Sequence, residues 1–503
     1  QSERARLVRL RPQIVVTTPE SFYLLLTSES GRRLLSTIET VIIDEIHALV
    51  AERRGAHLAL SLARLEALRR DHDAHCRPLQ RIGVSATVRP LERVAQYLAG
   101  NDPVRFCTDE RRRPFDIRLL LPDEGLSAVM SGDHWNEIYL KLTEEIRNRR
   151  TTLVFVNNRR LCERMARSLS ELIGAEFVGA HHGSLSHAER RRGEERLKAG
   201  SLKVMVATQS LELGLDIGSI DLVVQVSSPR SIHAFIQRAG RSEHHKQGTS
   251  RIILVPLTRD DLRECVALVS ALRRGELEEV KLCAPALDVL AQQVVAEVSA
   301  RDYAVDELFA LFTGSFVYHD LQRSKFLQIL QMLNDGFSLR FGRRSRYLFF
   351  DQTAGTLHAR PGARLIAALN GGAIPENFEY EVVDETDQVY VGSVHEDFAI
   401  ESMRGDVFQL GNRLWQIVQV SGNRVSVIAA PDKHPTIPFW IVDVPGRSDT
   451  LSAAVARLNE DFLAAESADH FVTAIARETG LEKRPLVLLA DYQKKKKNSL
   501  GSL

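Results

Sequence analysis

The sequence predicts an α/β chain: two successive lobes built on parallel sheets, then a module of short helices, then a small β-rich domain. Three observations carry that prediction. Strand-like stretches such as TVIID and QRIGVSAT run almost without polar interruption, the mark of strands buried on both faces of a parallel sheet. Amphipathic helical stretches separate them, as right-handed crossovers between parallel strands require. Beyond about residue 284 this alternation stops and short helices replace it.

Residues 1–115 form the first α/β segment. PQIVVTTPESFYLLL gives a strand and then a helix, with Thr18 as N-cap, Pro19 at the first helical position and Glu20 in the first turn. TVIIDEIH and QRIGVSAT are two further strands. AHLALSLARLEALRR between them spaces its apolar residues three and four apart, which is one face of a helix. The Arg- and Pro-rich TDERRRPFDI reads as the loop that closes this segment. Residues 116–275 form the second lobe. After a helix around Trp135, its strands are TTLVFVN, FVGAHH, LKVMVAT, DLVVQVSS and SRIILVP. Residues 276–345 carry the helices of a winged-helix module, including PALDVLAQQVVAEV, AVDELFALF and SKFLQILQML, with strand-like RYLFFD after them. Residues 346–503 hold many short strands with Gly, Asn and Asp turns, and then a helical tail.

The 503 residues are ordinary for globular protein, with 44% apolar and 26% charged residues. A net charge of +1 means that any nucleic-acid partner must be met by local basic patches. The five cysteines are odd in number and never in CxxC spacing, which argues against a disulfide framework or a zinc ribbon and fits a reducing, cytoplasmic setting. No run approaches 18 apolar residues. The chain opens on Gln1 in a charged helical stretch and stops in YQKKKKNSLGSL, so a longer parent protein is expected.

In parallel sheets, ligands sit at the carboxyl ends of the strands, so the polar clusters there are the candidate chemistry. Asp44 and Glu45 follow the TVII strand. One carboxylate there can hold hydrated Mg²⁺ while the other polarises an attacking water; the alternative is an acidic pair that merely faces solvent. Ser85 and Thr87 end the next strand, where their hydroxyls could reach Asp44. The TTPES segment offers Thr18, Pro19 and Glu20 at a helix start, a phosphate-type site as well as a cap. In the second lobe, Gly183 and Ser184 expose a turn before the basic helix start at Arg190, which suits a nucleic-acid phosphate track. Thr208, Gly214 and Asp216 lie between two buried strands. Gln237, Arg238 and Arg241 fall at i, i+1 and i+4, so on a helix Gln237 and Arg241 share one face with Arg238 beside it, and no acidic partner is nearby in sequence.

Taken in order, TTPES, DEIH, SAT, HHGSL, ATQSLELGLDIGSIDLVV and QRAGRSEH resemble the motif series of superfamily 2 helicases of the DEAD/DEAH-box type, over about residues 1–260. Further on, GGAIPENFEYEV, GSVHEDFAIESMRGDVFQLGNRLWQIVQV and PFWIVDVPGRSDTLSAAV resemble the large helicase-related (Lhr) family. The resemblance implies two RecA-like lobes with ATP between them, a single strand across their tops, and a winged helix and β-rich domain gripping that strand. It implies an ATP- and Mg²⁺-dependent helicase moving 3′ to 5′ on single-stranded DNA and opening DNA or RNA:DNA duplexes, in DNA repair. Residue by residue, Asp44 resembles the magnesium-binding acid, Glu45 the catalytic carboxylate and His47 the residue coupling ATP to nucleic acid. Ser85 and Thr87 resemble the motif linking hydrolysis to unwinding. Gly214 and Asp216 resemble the cleft-lining pair of the second lobe. Gln237, Arg238 and Arg241 resemble its nucleotide-facing set, with Arg241 as arginine finger. Glu243 and His244 depart from the Gly and Arg that many members carry there.

One motif is missing. The phosphate loop G-x-x-x-x-G-K-[ST] supplies the lysine and N–H groups that hold the β- and γ-phosphates, and no Gly-Lys pair occurs in the chain. Truncation is the expectation, and an isolated chain of this kind is then an ATP-independent nucleic-acid-binding module. Elsewhere, DHDAHC reads as a solvated loop in preference to zinc ligands. Trp415, Trp440, Phe408 and Phe439 read as β-domain core, and KKKK at 494–497 as a solvated helix face.

Overall fold

The computed structural model describes residues 6–7, 9–86, 88–100, 102–108, 114–127, 130–212, 220–242, 249–338, 344–372, 379–431 and 446–500. Two compact units share the chain, and each is made of two separate stretches. Residues 1–108 and 279–376 form one; residues 109–278 and 377–503 form the other.

In the first stretch, α1 (Pro19–Thr27) is followed by β1 (Thr40–Ile43), the short helix Ile46–Val50, α2 (Arg53–His72) and β2 (Gln80–Gly83). β1 and β2 pair in parallel, with Ile43 opposite Gly83. Ile43 is buried, whereas Ile42, Ile82 and Val84 are exposed, so the pair is covered on one face only. The strand expected at PQIVVTT does not form: among the described residues no strand pairs with 13–17, and Ile14 and Val16 remain 81% and 94% exposed. A strand is defined by its neighbour, and apolar β-branched residues alone do not supply one.

Residues 109–278 build a six-stranded, wholly parallel sheet. Its members are β3 (Phe115–Leu119), α3 (Gly132–Arg147), β4 (Thr152–Phe155), α4 (Arg159–Ile173), β5 (Val178–His181), α5 (His187–Lys198), β6 (Val204–Ala207), β7 (Leu222–Val226), α6 (Ile232–Ala239), β8 (Ser250–Val255) and α7 (Arg259–Arg274). The strand order is β3-β8-β7-β4-β6-β5. The five expected strands are all present. β3 is additional, inside what the sequence presented as a loop. It is an edge strand whose Asp116 and Arg118 face solvent while Ile117 is buried, so its alternation hid it.

Residues 279–376 return to the first unit with α8 (Leu287–Val298), β9 (Tyr303–Ala304), α9 (Val305–Thr313), α10 (Arg323–Asp335), β10 (Leu348–Asp351), β11 (Thr356–Ala359) and α11 (Ala363–Leu369). β10 and β11 form an antiparallel wing, and β11 also pairs with β9. This sheet runs across the expected 345/346 boundary and joins the wing to the helices before it. One hydrophobic core runs through the helical module and the β1–β2 segment together, from Leu26, Ile46 and Leu65 to Leu290, Phe312 and Phe326. Each such fully buried Leu, Ile or Phe contributes about 1.5–3 kcal/mol.

Residues 377–503 complete the second unit. β12 (Glu379–Asp384), β13 (Tyr390–His395), β14 (Val407–Leu410), β15 (Arg413–Ser421) and β16 (Arg424–Ala429) form a five-stranded sheet in the order β13-β12-β16-β15-β14. Phe408 and Trp415 are buried in its core, as expected; Phe439 and Trp440 lie outside the described residues. The tail forms α12 (Asp449–Ala464), α13 (Ala468–Thr479) and α14 (Lys483–Leu500). These helices pack Leu451, Phe471 and Leu489 with Leu262 and Val266 of α7, so they share the core of the parallel sheet rather than that of the β-rich sheet.

Candidate nucleotide and nucleic-acid site

The acids stand where β1 stops. Ile46 N–H donates to the Val84 carbonyl at 3.0 Å and Val84 N–H to the Ile43 carbonyl at 2.8 Å, so the two chains stay laced beyond the strand ends. Asp44 is exposed and has no basic partner among the described residues. Glu45 takes a left-handed conformation, φ 49° and ψ 40°, and donates its N–H to Asp44 Oδ1 at 2.9 Å. A non-glycine residue there costs about 1–2 kcal/mol, a strain that clusters at functional sites.

His47 is buried and bridges two motifs. Its Nδ1 lies 3.0 Å from Ser85 Oγ and its Nε2 3.5 Å from Glu45 Oε2. The Ser85 hydroxyl therefore reaches His47 and not Asp44, because the parallel register carries Ser85 past the acid to the next turn. Thr87 lies outside the described residues.

Thr18 caps α1, its Oγ1 accepting from Ser21 N–H at 3.3 Å, with Pro19 in the first turn. Glu20 is held by Arg54, Nε to Oε1 at 2.7 Å and Nη2 to Oε2 at 3.2 Å. Burial pushes the Glu20 carboxyl up, but the Arg54 hydrogen bonds, its own backbone N–H and Thr18 outweigh it and hold the pKa at about 2.

In the second unit, Gly183 and Thr208 follow neighbouring parallel strands; Thr208 N–H donates to the His181 carbonyl at 3.1 Å. Gly183 is exposed and Thr208 half-buried. Ser184 is fully buried: Arg159 Nη1 donates to its Oγ at 2.5 Å and Ser393 N–H to its carbonyl at 2.6 Å. Ser186 N–H reaches the Val391 carbonyl at 2.8 Å, so the turn is stitched along the edge of β13. Arg190 is half-buried on α5.

Beneath this turn, the fully buried Glu163 of α4 accepts from His182 Nε2 at 2.8 Å, Gly411 N–H at 2.7 Å and Asn412 N–H at 3.3 Å. Burial pushes the Glu163 carboxyl up; His182 and the two amides outweigh it and hold it below the usual range. Neither Glu163 nor Arg159 stood out in the sequence. Arg159 follows the Asn-Asn pair after β4, the same kind of polar cluster after a strand that marked the other motifs.

Arg238 corrects an expectation. It has an acidic partner: its Nε and Nη2 bind Glu212 Oε2 at 3.1 and 3.0 Å, Nη1 binds Gln225 Oε1 at 2.9 Å, and the group is buried against Phe155. Arg241 Nε and Nη2 donate to the Glu212 carbonyl at 3.1 and 2.6 Å. α6 ends at Ala239, so Gln237 and Arg241 do not share a continuous helical face. Both arginines fasten the segment that leads to Gly214 and Asp216, two residues outside those described.

Family models for the DEAD/DEAH box helicase, the helicase conserved C-terminal domain and the winged helix domain of the large helicase-related protein match residues 1–94, 136–246 and 270–437. With the parallel-sheet lobe and the laced DEIH and SAT segments, they define a DEAD/DEAH-box-type helicase protein. Relatives agree. The chain is 36% identical to the Lhr helicase/probable uracil glycosylase of Mycolicibacterium smegmatis, over 90% of this chain and 32% of that protein. It is 34% identical to the ATP-dependent helicase Lhr-Core of Methanocaldococcus jannaschii, over 92% and 54%. The structure of Mycobacterium smegmatis helicase Lhr bound to ssDNA and AMP-PNP matches with a TM-score of 0.78 and 32% identity, covering 99% of this chain and 60% of that one. The helicase MrfA bound to DNA and AMPPNP shares the fold, with a TM-score of 0.66 and 21% identity. The chain belongs to the large helicase-related (Lhr) family, and it spans about a third to about half the length of these curated relatives.

Proposed function

We propose that the chain is the hydrolysis-coupling and strand-gripping part of an ATP-dependent helicase or translocase that moves 3′ to 5′ on single-stranded DNA and opens DNA or RNA:DNA duplexes in the cytoplasm. The observation that carries this is His47, which touches Ser85 on one side and Glu45 on the other. A carboxylate suited to activating water is thereby tied to the next strand end, the connection that a motor needs between hydrolysis and movement.

Asp44 fits hydrated Mg²⁺, being an exposed carboxylate at a strand end without a basic partner among the described residues. Glu45, held against His47, is the group for the attacking water. ATP, when bound, supplies the phosphoanhydride bond whose cleavage drives the cycle. Arg241, Gln237, Gly214 and Asp216 are assigned to the nucleotide on their motif alone. Arg238 acts as the anchor of Glu212. On nucleic acid, Gly183, Thr208 and Arg190 are the contacts in the second unit, with Ser184 fixing the turn from below, and Thr18 and Pro19 in the first unit.

The sequence contains no phosphate loop, which favours a second reading for this chain by itself: binding of single strands without turnover. Both are tested by measuring DNA-stimulated ATP hydrolysis and single-strand affinity of this chain, alone and joined to a segment carrying that loop. Binding without turnover is expected for the chain alone, and turnover lost in Glu45→Gln for the joined protein. Turnover by the chain alone would overturn the need for the added loop. Absence of single-strand binding would overturn the nucleic-acid assignment.

A further inference from the structure

α4 begins one residue after Asn158 and carries Arg160, Arg164 and Arg167 at i, i+4 and i+7, one stripe along its outer face. At 1.5 Å per residue this stripe is about 10 Å long. It lines a groove of about 600 Å³ with Asn158, Ser168 and Glu171. Arg167 is paired with Glu171 at 3.1 Å. Arg160 has no ion pair or hydrogen bond among the described residues. Arg164 sits over the Trp135 ring at 4.6 Å, and Trp135 stacks on Tyr139 at 5.6 Å. Two guanidinium charges thus stay uncompensated, and one is held in place by an aromatic floor instead of an acid. A cation–π contact of this kind leaves the N–H edge of Arg164 available to an anion.

The groove starts beside the residue that anchors the Gly183 turn. Arg159, the residue before Arg160, binds Ser184 beneath the Gly183 turn. A duplex strand presents a phosphate about every 3.4 Å of axis, so a 10 Å stripe spans roughly three of them. We propose that this groove is a second nucleic-acid site, which binds the phosphate backbone of the duplex arm or displaced strand beyond the tracked single strand. The proposal rests on the helicase reading of the chain and adds to it a site that none of the chain's strand-end motifs contains.

The test is fluorescence anisotropy of the 503-residue chain with three DNA probes: a single strand, the same strand with a duplex arm, and a fork with a second free strand. Two variants are compared with the unaltered chain, Arg160→Ala/Arg164→Ala and Arg160→Ala alone, which leaves the Trp135 contact intact. Single-strand affinity is expected to be unchanged in both. Arm or fork affinity is expected to fall roughly tenfold in the double variant, with a log–log salt slope shallower by about 1.4–1.8, the share of two phosphate contacts. Loss on both armed probes assigns the duplex arm, and loss on the fork alone assigns the displaced strand. An unchanged ratio of armed to single-strand affinity overturns the proposal, as does equal loss on all three probes. If the unaltered chain binds armed probes but no single strand, the helicase reading fails while the groove stands.

Discussion

Arg64 Nε meets Glu297 Oε2 at 2.6 Å with both side chains fully buried, and the two residues lie 233 positions apart. Around them, Arg64 Nη1 reaches Gln293 Oε1 at 2.7 Å, Arg32 Nη1 reaches Glu297 Oε1 at 3.3 Å, and the Tyr303 hydroxyl donates to Glu297 Oε1 at 2.7 Å. The pair ties α2 to α8 within the first unit. Removing one partner of a buried pair strands the other charge, so Arg64→Ala is expected to cost about 3–5 kcal/mol in chemical denaturation. Burial pushes the Glu297 carboxyl up, but Arg64 and Arg32 outweigh it, and its folded pKa is lowered. The pair's contribution is therefore complete above the ordinary glutamate value of about 4.3 and is lost as pH falls below it.

Arg238 and Arg241 are expected to separate by phenotype. Arg238→Ala leaves the Glu212 carboxylate buried without its partner, and unfolding of the second unit should ease by about 3–5 kcal/mol. Arg241→Ala removes bonds to a carbonyl on a half-buried side chain, so the thermal midpoint should change little. In a protein competent for turnover, its ATP hydrolysis should fall by about 10³–10⁵ if Arg241 acts as an arginine finger. Equal effects of the two substitutions on stability would refute this division.

The Glu20–Arg54 pair predicts a pH signature. Glu20 is depressed to about 2, so its contribution is full above about 4.3 and disappears as pH falls through about 2. The urea midpoint of Glu20→Gln should differ from that of the unaltered chain by a constant amount between pH 7 and 5, as those limits require. The gap should then close progressively in acid. A gap independent of pH would show that the carboxylate charge is not what Arg54 stabilises.

Gly392 sits against the motif turn. A Cβ there would lie 2.2 Å from the Ser184 carbonyl oxygen and 3.1 Å from Leu410 Cδ2. Gly392→Ala must push β13 away from residues 184–186, at a cost of about 1–3 kcal/mol for such overpacking. Hydrogen exchange at Ser186 and Ser393, whose N–H groups bond across this seam, should speed up selectively. Unchanged exchange at both would mean that the seam adjusts without parting.

The parallel lobe was legible because its central strands are buried on both faces and carry uninterrupted apolar runs. β3 was not, since an edge strand alternates Asp116 and Arg118 with Ile117 and so resembles a loop. Ile14 and Val16 show the converse, with strand-forming residues left unpaired among the described neighbours. At the site, the acids and His47 could be found from their position after a strand, but the Ser85 contact depends on register. Glu212 and Arg238 are 26 residues apart, and only the fold makes them partners. Glu163 lay hidden because an acidic residue on a helix usually faces water, whereas here N–H groups of His182, Gln409, Gly411 and Asn412 converge on it.

Because residues 109–278 separate the two stretches of the first unit, the order of synthesis matters. Closing a loop of roughly 170 residues costs about 4.5 kcal/mol of chain entropy, which the contacts between residues 1–108 and 279–376 have to offset. Arg64 leaves the ribosome long before Glu297 exists to neutralise it, and Leu26 and Leu65 wait as long for Leu290 and Phe312. Domains generally fold as units during synthesis, so the parallel sheet of the second unit can form while the first is still open. A nascent chain of this topology carries an exposed apolar helix pair for the time needed to make some two hundred residues, an interval in which a chaperone has a defined surface to hold.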